Sequence, residues 1–240
     1  MHVYANPARF LKIARPLTAW LGWAGAALIL GALGWGLTAA PTDYLQGESV
    51  RILYVHVPAA WLAMGGWTGI AVASLMQLVW RHPLAAVAAR AIAVPGAVFA
   101  FLCLATGSLW GRPTWGTYWE WDGRMTSMLV MLFLYLGFIA LASAEKEKGG
   151  EGRTTAIFGL VGAVNLPVIH YSVVWWNTLH QGQSISFVSA SSTIDSSMLW
   201  PLLAAALGFS LLFGAVVLMR MRAELARTKV EARLKRMASE

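Results

Sequence analysis

The chain has 240 residues, 58% of them hydrophobic and only 12% charged, with a formal net charge of +7. Soluble domains carry about a quarter charged residues, so an ordinary soluble globule is excluded. A single cysteine, Cys103, excludes an internal disulfide, a C-x-x-C redox pair and the C-x-x-C-H attachment motif of a c-type cytochrome.

In chain order, long charge-free apolar runs fall at 17–39, 57–80, 91–109, 125–144, 154–174 and 198–219. Each is long enough to cross a hydrocarbon core of about 30 Å as a helix. The expectation is an all-α integral membrane protein, a single six-transmembrane-helix bundle. Arg9, Lys12 and Arg15 precede the first run, which is too long for the apolar stretch of a signal peptide and reads as a retained span. The N-terminal tail, the turns 81–90 and 145–153, and the tail from Arg220 onward hold 15 of the 18 Lys and Arg residues. Arg51, Arg112 and Arg124 share the opposite face. By the positive-inside rule both termini are cytoplasmic, and the connections after the first, third and fifth spans face outward. The basic excess therefore reports topology and excludes nucleic acid as the partner. The tail 220–240 mixes signs at helical spacing, which predicts a cytoplasmic extension of the last helix near membrane lipid headgroups or a partner. The chain has no G-x-x-x-x-G-K-[ST] loop with which to hydrolyse ATP.

The chemistry-bearing residues lie on the outer face. The second outer connection reads LWGRPTWGTYWEWDGRM and places Trp110, Trp115, Tyr118, Trp119 and Trp121 in one short stretch. An aromatic belt at the headgroup level needs fewer rings than this. Gly111, Pro113 and Gly116 predict an irregular or partly helical surface element, an aromatic shelf suited to a large planar apolar ligand. His56 opens the second span, His180 lies in the third outer connection, and His170 sits deeper, near the outer end of span five. His2 and His82 fall on the cytoplasmic side and read as solvated. Zinc fits poorly, because the outer face has no thiolate and no H-E-x-x-H, and zinc needs no aromatic shelf. Haem asks for axial imidazole, apolar ring contacts and cations for its propionates. The outer histidines, the tryptophans and the candidate propionate partners Arg51, Arg112 and Arg124 match that requirement. Asp122 reads either as an orienting partner of Arg124 or as the cap of the fourth span.

The run W-G-T-Y-W-E-W-D, 115–122, resembles the W-G-x-x-W-x-W-D signature of tryptophan-rich haem-handling membrane proteins. With YVHVPAAW around His56, GSLWGRPTWG, and NLPVIHYSVVWWNTLHQG ending near His180, the whole chain resembles the haem exporter protein C family, CcmC, of cytochrome c maturation. The larger relatives CcmF and CcsA carry additional spans. The resemblance implies a bacterial inner-membrane protein with its site on the periplasmic side, holding haem b non-covalently. His56 and His180 would be the axial ligands, and Trp110, Trp115, Gly116, Tyr118, Trp119, Trp121 and Asp122 the shelf. It does not single out His170, which with Trp175 and Trp176 is expected to support the ligands rather than bind iron. It also implies delivery of haem to the chaperone CcmE, with CcmD and the ABC-transporter subunits CcmA and CcmB as partners and ATP hydrolysis left to those subunits. The rival readings are a b-type membrane cytochrome, which would pair histidines inside the bundle, and an assembly or permease subunit whose aromatic loop docks protein.

Overall fold

The computed structural model describes residues 6–176, 178–180, 182, 184–186 and 191–239; His2 lies outside them. Helix α1 (Pro7–Thr38) is followed by a 3-10 turn (Glu48–Ile52) that leads into α2 (Leu53–Trp80). Next come α3 (Ala85–Trp115), α4 (Gly123–Glu147), α5 (Arg153–Gly162), α6 (Asn165–Trp175) and α7 (Ser196–Met237). A two-residue antiparallel pair, β1 (Ile185–Ser186) and β2 (Ser191–Ser192), precedes α7, with Ile185 opposite Ser192. Six helical stretches are long and apolar enough to cross a membrane, α5 and α6 together making one crossing. The architecture is the all-α, six-helix membrane bundle that the apolar runs predict.

Helices start where side chains satisfy the first free N–H groups. The carboxamide oxygen of Asn6 accepts from the Ala8 N–H at 2.9 Å, with Pro7 at the first helical position. Asp122 and Asp195 do the same for α4 and α7. Prolines inside the helices leave carbonyls without their usual donor. Pro95 deprives the Ala91 carbonyl of its partner in α3, and the Arg220 Nε–H of α7 donates to that carbonyl at 3.1 Å. A helix defect thus becomes a tie between two helices.

The core lies among α2, α3 and α4, where Ala63, Trp67, Ala100, Met131 and Tyr135 are buried. Tyr135 of α4 lies against Gly96 of α3 and donates its hydroxyl proton to the Ala63 carbonyl of α2 at 2.7 Å, so one side chain joins three helices. Helix α1 packs chiefly on α7, the two backbones meeting closely at Gly25 and Gly208. At the end of the bundle away from His56, Glu224 of α7 receives the Arg90 Nε of α3 at 2.9 Å and the Lys146 Nζ of α4 at 3.1 Å. His82 occupies the α2–α3 turn, where its Nδ1 accepts from the Leu84 N–H at 3.3 Å.

Two boundaries depart from the sequence expectation. Helix α3 continues to Trp115, through Gly111 and Pro113, before Gly116 ends it in the left-handed region at φ 80°. Of the two expectations for this element, irregular or partly helical, the second holds, its first half continuing α3 beyond the predicted end of the span at 109; a proline in the last turn removes one ladder bond and does not break the helix. The fifth crossing is interrupted between Gly162 and Asn165. Pro167 offers no N–H to the Ala163 carbonyl, and the chain turns tightly there, Leu166 N–H donating to Ala163 at 3.0 Å. The Asn165 side chain ties the break to α4 by donating to the Ser127 carbonyl at 2.9 Å.

Candidate functional site

The connections 39–52 and 116–122 and the described residues between α6 and α7 gather at one end of the bundle. His56 lies in the first turn of α2, half-buried against α3. Its Nδ1 is 3.0 Å from the Thr106 hydroxyl oxygen, and that hydroxyl sits 2.7 Å from the Leu102 carbonyl one turn back on α3. A hydroxyl has one proton to give, and the carbonyl takes it. Thr106 therefore accepts from the His56 Nδ1–H, which leaves Nε2 unprotonated with its lone pair available. Gly107 lets the ring lie this close: a Cβ there would stand 3.0 Å from His56 Cε1. The Trp110 ring meets His56 nearly edge-on at 5.7 Å, and the Trp110 indole N–H is held by the Gln46 side chain at 2.8 Å.

His180 is arranged by the same logic with a stronger partner. Its Nδ1 lies 2.6 Å from Oδ2 of Asp122, whose side chain is only 3% exposed. Thr178 donates to the same Oδ2 and accepts from the His180 N–H at 3.1 Å, while Oδ1 of Asp122 accepts from the Met125 N–H at 2.8 Å and caps α4. The two sequence readings of Asp122 resolve into capping, joined to an unforeseen hold on His180. Burial pushes the Asp122 carboxyl up, but hydrogen bonds from Thr178, the Met125 N–H and His180 outweigh it and hold the group below its ordinary value. Burial pulls the His180 imidazole below its ordinary value against the opposing pull of Asp122, and the Arg124 charge adds to the lowering. Burial favours the neutral ring, and in that form Nδ1–H lies on the carboxylate and the Nε2 lone pair is available. Trp115 meets His180 at 4.6 Å. A single rigid helix end therefore touches both imidazoles, through Trp110 and Trp115.

The rest of the aromatic segment follows the end of α3. Trp119 and Trp121 pack edge to face at 5.2 Å, and Trp121 is 73% exposed. The buried Trp119 Nε1 has no hydrogen-bond partner among the described residues. Arg112 donates to the Gly116 carbonyl and lies over the exposed Tyr118 ring at 5.7 Å. Arg51 pairs with Glu48 at 2.6 Å and reaches the Ala40 carbonyl at 3.4 Å. Arg124 is half-buried at the start of α4, where its charge acts on His56, His180 and Asp122. Among the described residues no hydrogen bond or ion pair engages its guanidinium.

Not every predicted residue converges here. His170 lies on the exposed side of α6, its ring edge-on to Tyr171 at 4.7 Å. Tyr171 stacks on Trp175 at 5.5 Å, and Trp175 meets Trp176 edge-on at 5.9 Å, an aromatic ladder along α6. Trp176 alone of that group reaches the site, packing over Gly123 beside Asp122. Sequence reasoning missed Thr106, Gln46 and Thr178. Thr178, two residues before His180, has the spacing of a local hydroxyl-to-backbone turn; Thr106 is 50 residues from His56 and carries no such signal.

Among the described residues no three His, Cys, Asp or Glu side chains converge as a metal site. Two imidazoles, aromatic faces and a guanidinium without a hydrogen bond among the described residues suit a planar apolar ligand that brings its metal's equatorial donors with it and carries carboxylates. The family described as Heme exporter protein C matches residues 1–236 of the chain. The chain is 52% identical over 229 residues to the Heme exporter protein C of Bradyrhizobium diazoefficiens, covering 95% of this chain and 86% of the relative. It is 47% identical to that of Escherichia coli K12 over 222 residues, 92% and 89% of the two chains. With that of Paracoccus denitrificans the identity is 40% over 234 residues, 97% and 96% of the two chains.

Proposed function

Because the chain belongs to the haem exporter protein C family, we propose that it holds haem b, non-covalently, at the periplasmic face of the bacterial inner membrane and hands it to the haem chaperone CcmE. His56 and His180 ligate the iron through Nε2. Trp110 and Trp115 back the two imidazoles, Trp119 and Trp121 with Tyr118 supply ring contacts, and Arg124 meets a propionate. CcmD, CcmA and CcmB are the partners, and ATP hydrolysis belongs to the transporter subunits, so this chain transports and transfers rather than catalyses.

One observation carries the reading: two imidazoles on separate elements each have Nδ1 bonded to a side-chain oxygen, which leaves both Nε2 atoms as ligands. Two such ligands saturate the iron and suppress oxygen chemistry during transit. The exposed Trp121 and Tyr118 keep the aromatic surface open to a periplasmic protein. Many modest ring contacts with two exchangeable axial bonds permit stepwise replacement by the chaperone's own contacts.

The visible spectrum of the purified full-length protein tests this. Wild type from haem-replete cells should show a low-spin haem, and His56→Ala and His180→Ala should each lose it or turn high-spin. Unchanged spectra in both variants, or a colourless wild type, would overturn the assignment.

A further inference from the structure

The two imidazoles are held by chemically different partners. The Asp122 carboxylate takes the His180 Nδ1–H at 2.6 Å, whereas a neutral hydroxyl, Thr106, takes that of His56 at 3.0 Å. A carboxylate draws the Nδ1 proton toward itself and raises electron density at Nε2; a hydroxyl does this weakly. Resting on the axial-ligand reading above, we propose that the two axial bonds are unequal, with Asp122 making His180 the stronger donor and Thr106 leaving His56 as the ligand that gives way first. Asp122 and Thr106 are positioning residues: neither touches the iron, and each acts through the imidazole that it holds.

In the exchange step the bond between iron and the His56 Nε2 breaks with its electron pair returning to nitrogen, and an incoming donor supplies the pair that replaces it. No electron is gained or lost, and His180 holds the haem throughout. The side chains fit this division. Asp122 is fixed by its cap to Met125 and by Thr178, so the carboxylate cannot turn away from His180 without giving up both. Thr106 is tied only to its own helix.

Carbon monoxide added to the reduced, haem-loaded full-length protein tests the order of release, because CO takes the position of the weaker ligand and its vibrational frequencies report the donor strength of the ligand that remains. Thr106→Val should raise CO affinity about 10-fold, the low end for loss of an outer partner, and leave the C–O and Fe–C frequencies at their wild-type values. Thr106→Ser, which restores the hydroxyl, should return the affinity to wild type. Asp122→Asn should shift both frequencies; asparagine still caps α4, but its amide turns an N–H toward Nδ1 and opposes the ligating tautomer. Frequencies that move in Thr106→Val, an affinity that does not change there, or frequencies that stay fixed in Asp122→Asn would each overturn the proposal. Failure of the axial reading itself looks different: low-spin spectra would persist in both histidine variants before any CO is added.

Discussion

Arg51, Arg112 and Arg124 carry the same charge on the same face, and their partners decide which of them has hydrogen bonds to offer a ligand. Arg51 is held by an ion pair with Glu48, in which its buried Nε makes no hydrogen bond among the described residues, and by the Ala40 carbonyl; Arg112 is held by the Gly116 carbonyl and the Tyr118 ring. A half-buried guanidinium with no such engagement among its described neighbours is costly until a carboxylate arrives, and Arg124 stands in that position. A hydrogen bond to a charged group contributes about 1.5–3 kcal/mol, which is roughly 10- to 100-fold in affinity. Wild type should therefore bind haem at least about 10-fold more tightly than haem dimethyl ester, whose propionates are blocked. Arg124→Gln should erase that preference while Arg51→Gln and Arg112→Gln keep most of it, as measured by titration of the purified apoprotein. A preference that survives Arg124→Gln would remove Arg124 from the site. All three arginines are legible in the sequence as charges on one face. Glu48, three residues before Arg51, is even readable as its partner, but the different circumstances of Arg124 and the pairing of Thr106 with His56 depend on how α2, α3 and α4 converge, which no local spacing encodes.

Packing between the helices rests on a few close approaches, and these test the bundle at the level of its elements. A Cβ on Gly96 would lie 2.4 Å from the Tyr135 ring, whereas one on Gly31 of α1 would meet nothing within 4 Å. Overpacking costs about 1–3 kcal/mol, and in a chain of this size each kcal/mol lowers the melting midpoint by about 2–4 °C. Gly96→Ala should accordingly lower the thermal midpoint in detergent by several degrees, while Gly31→Ala, which gains helix propensity without a clash, should leave it equal or higher. Equal midpoints for the two variants would mean that Tyr135 does not need the gap it occupies. The apolar runs reveal the crossings because exclusion of charge is a strong constraint over some twenty residues. The interruption of the fifth crossing escapes that reading because Gly162, Asn165 and Pro167 are uncharged, so a count of charges passes over them. The length of α3 escapes for the opposite reason: Gly111 and Pro113 look like breakers, yet Gly111 is buried against the Trp115 ring, and a proline this close to the helix end costs a single ladder bond.

Orientation belongs to the whole molecule, since it arises from the sorting of charge between the two ends rather than from any one residue. Fifteen of eighteen cationic side chains fall in the tails and turns on the side opposite His56 and His180, and translocating such clusters is disfavoured, so the aromatic end should be periplasmic and the long end of α7 cytoplasmic. The extension of α7 is anchored where it begins: Glu224 joins Arg90 and Lys146, which ties the helix to α3 and α4. Cys103 is buried and so silent to an impermeant maleimide, which allows the orientation to be read from single added cysteines at exposed positions. Glu120→Cys, in the aromatic segment, should label in intact spheroplasts, whereas Thr228→Cys, on the extension of α7, should label only after the membrane is permeabilised. The reverse pattern would place His56 and His180 on the cytoplasmic side, where a periplasmic acceptor could not reach them. The bundle could then keep its fold and its two imidazoles, but delivery to CcmE would fail. The proposed handover thus depends on the charge asymmetry of the whole chain as much as on the two imidazole nitrogen atoms.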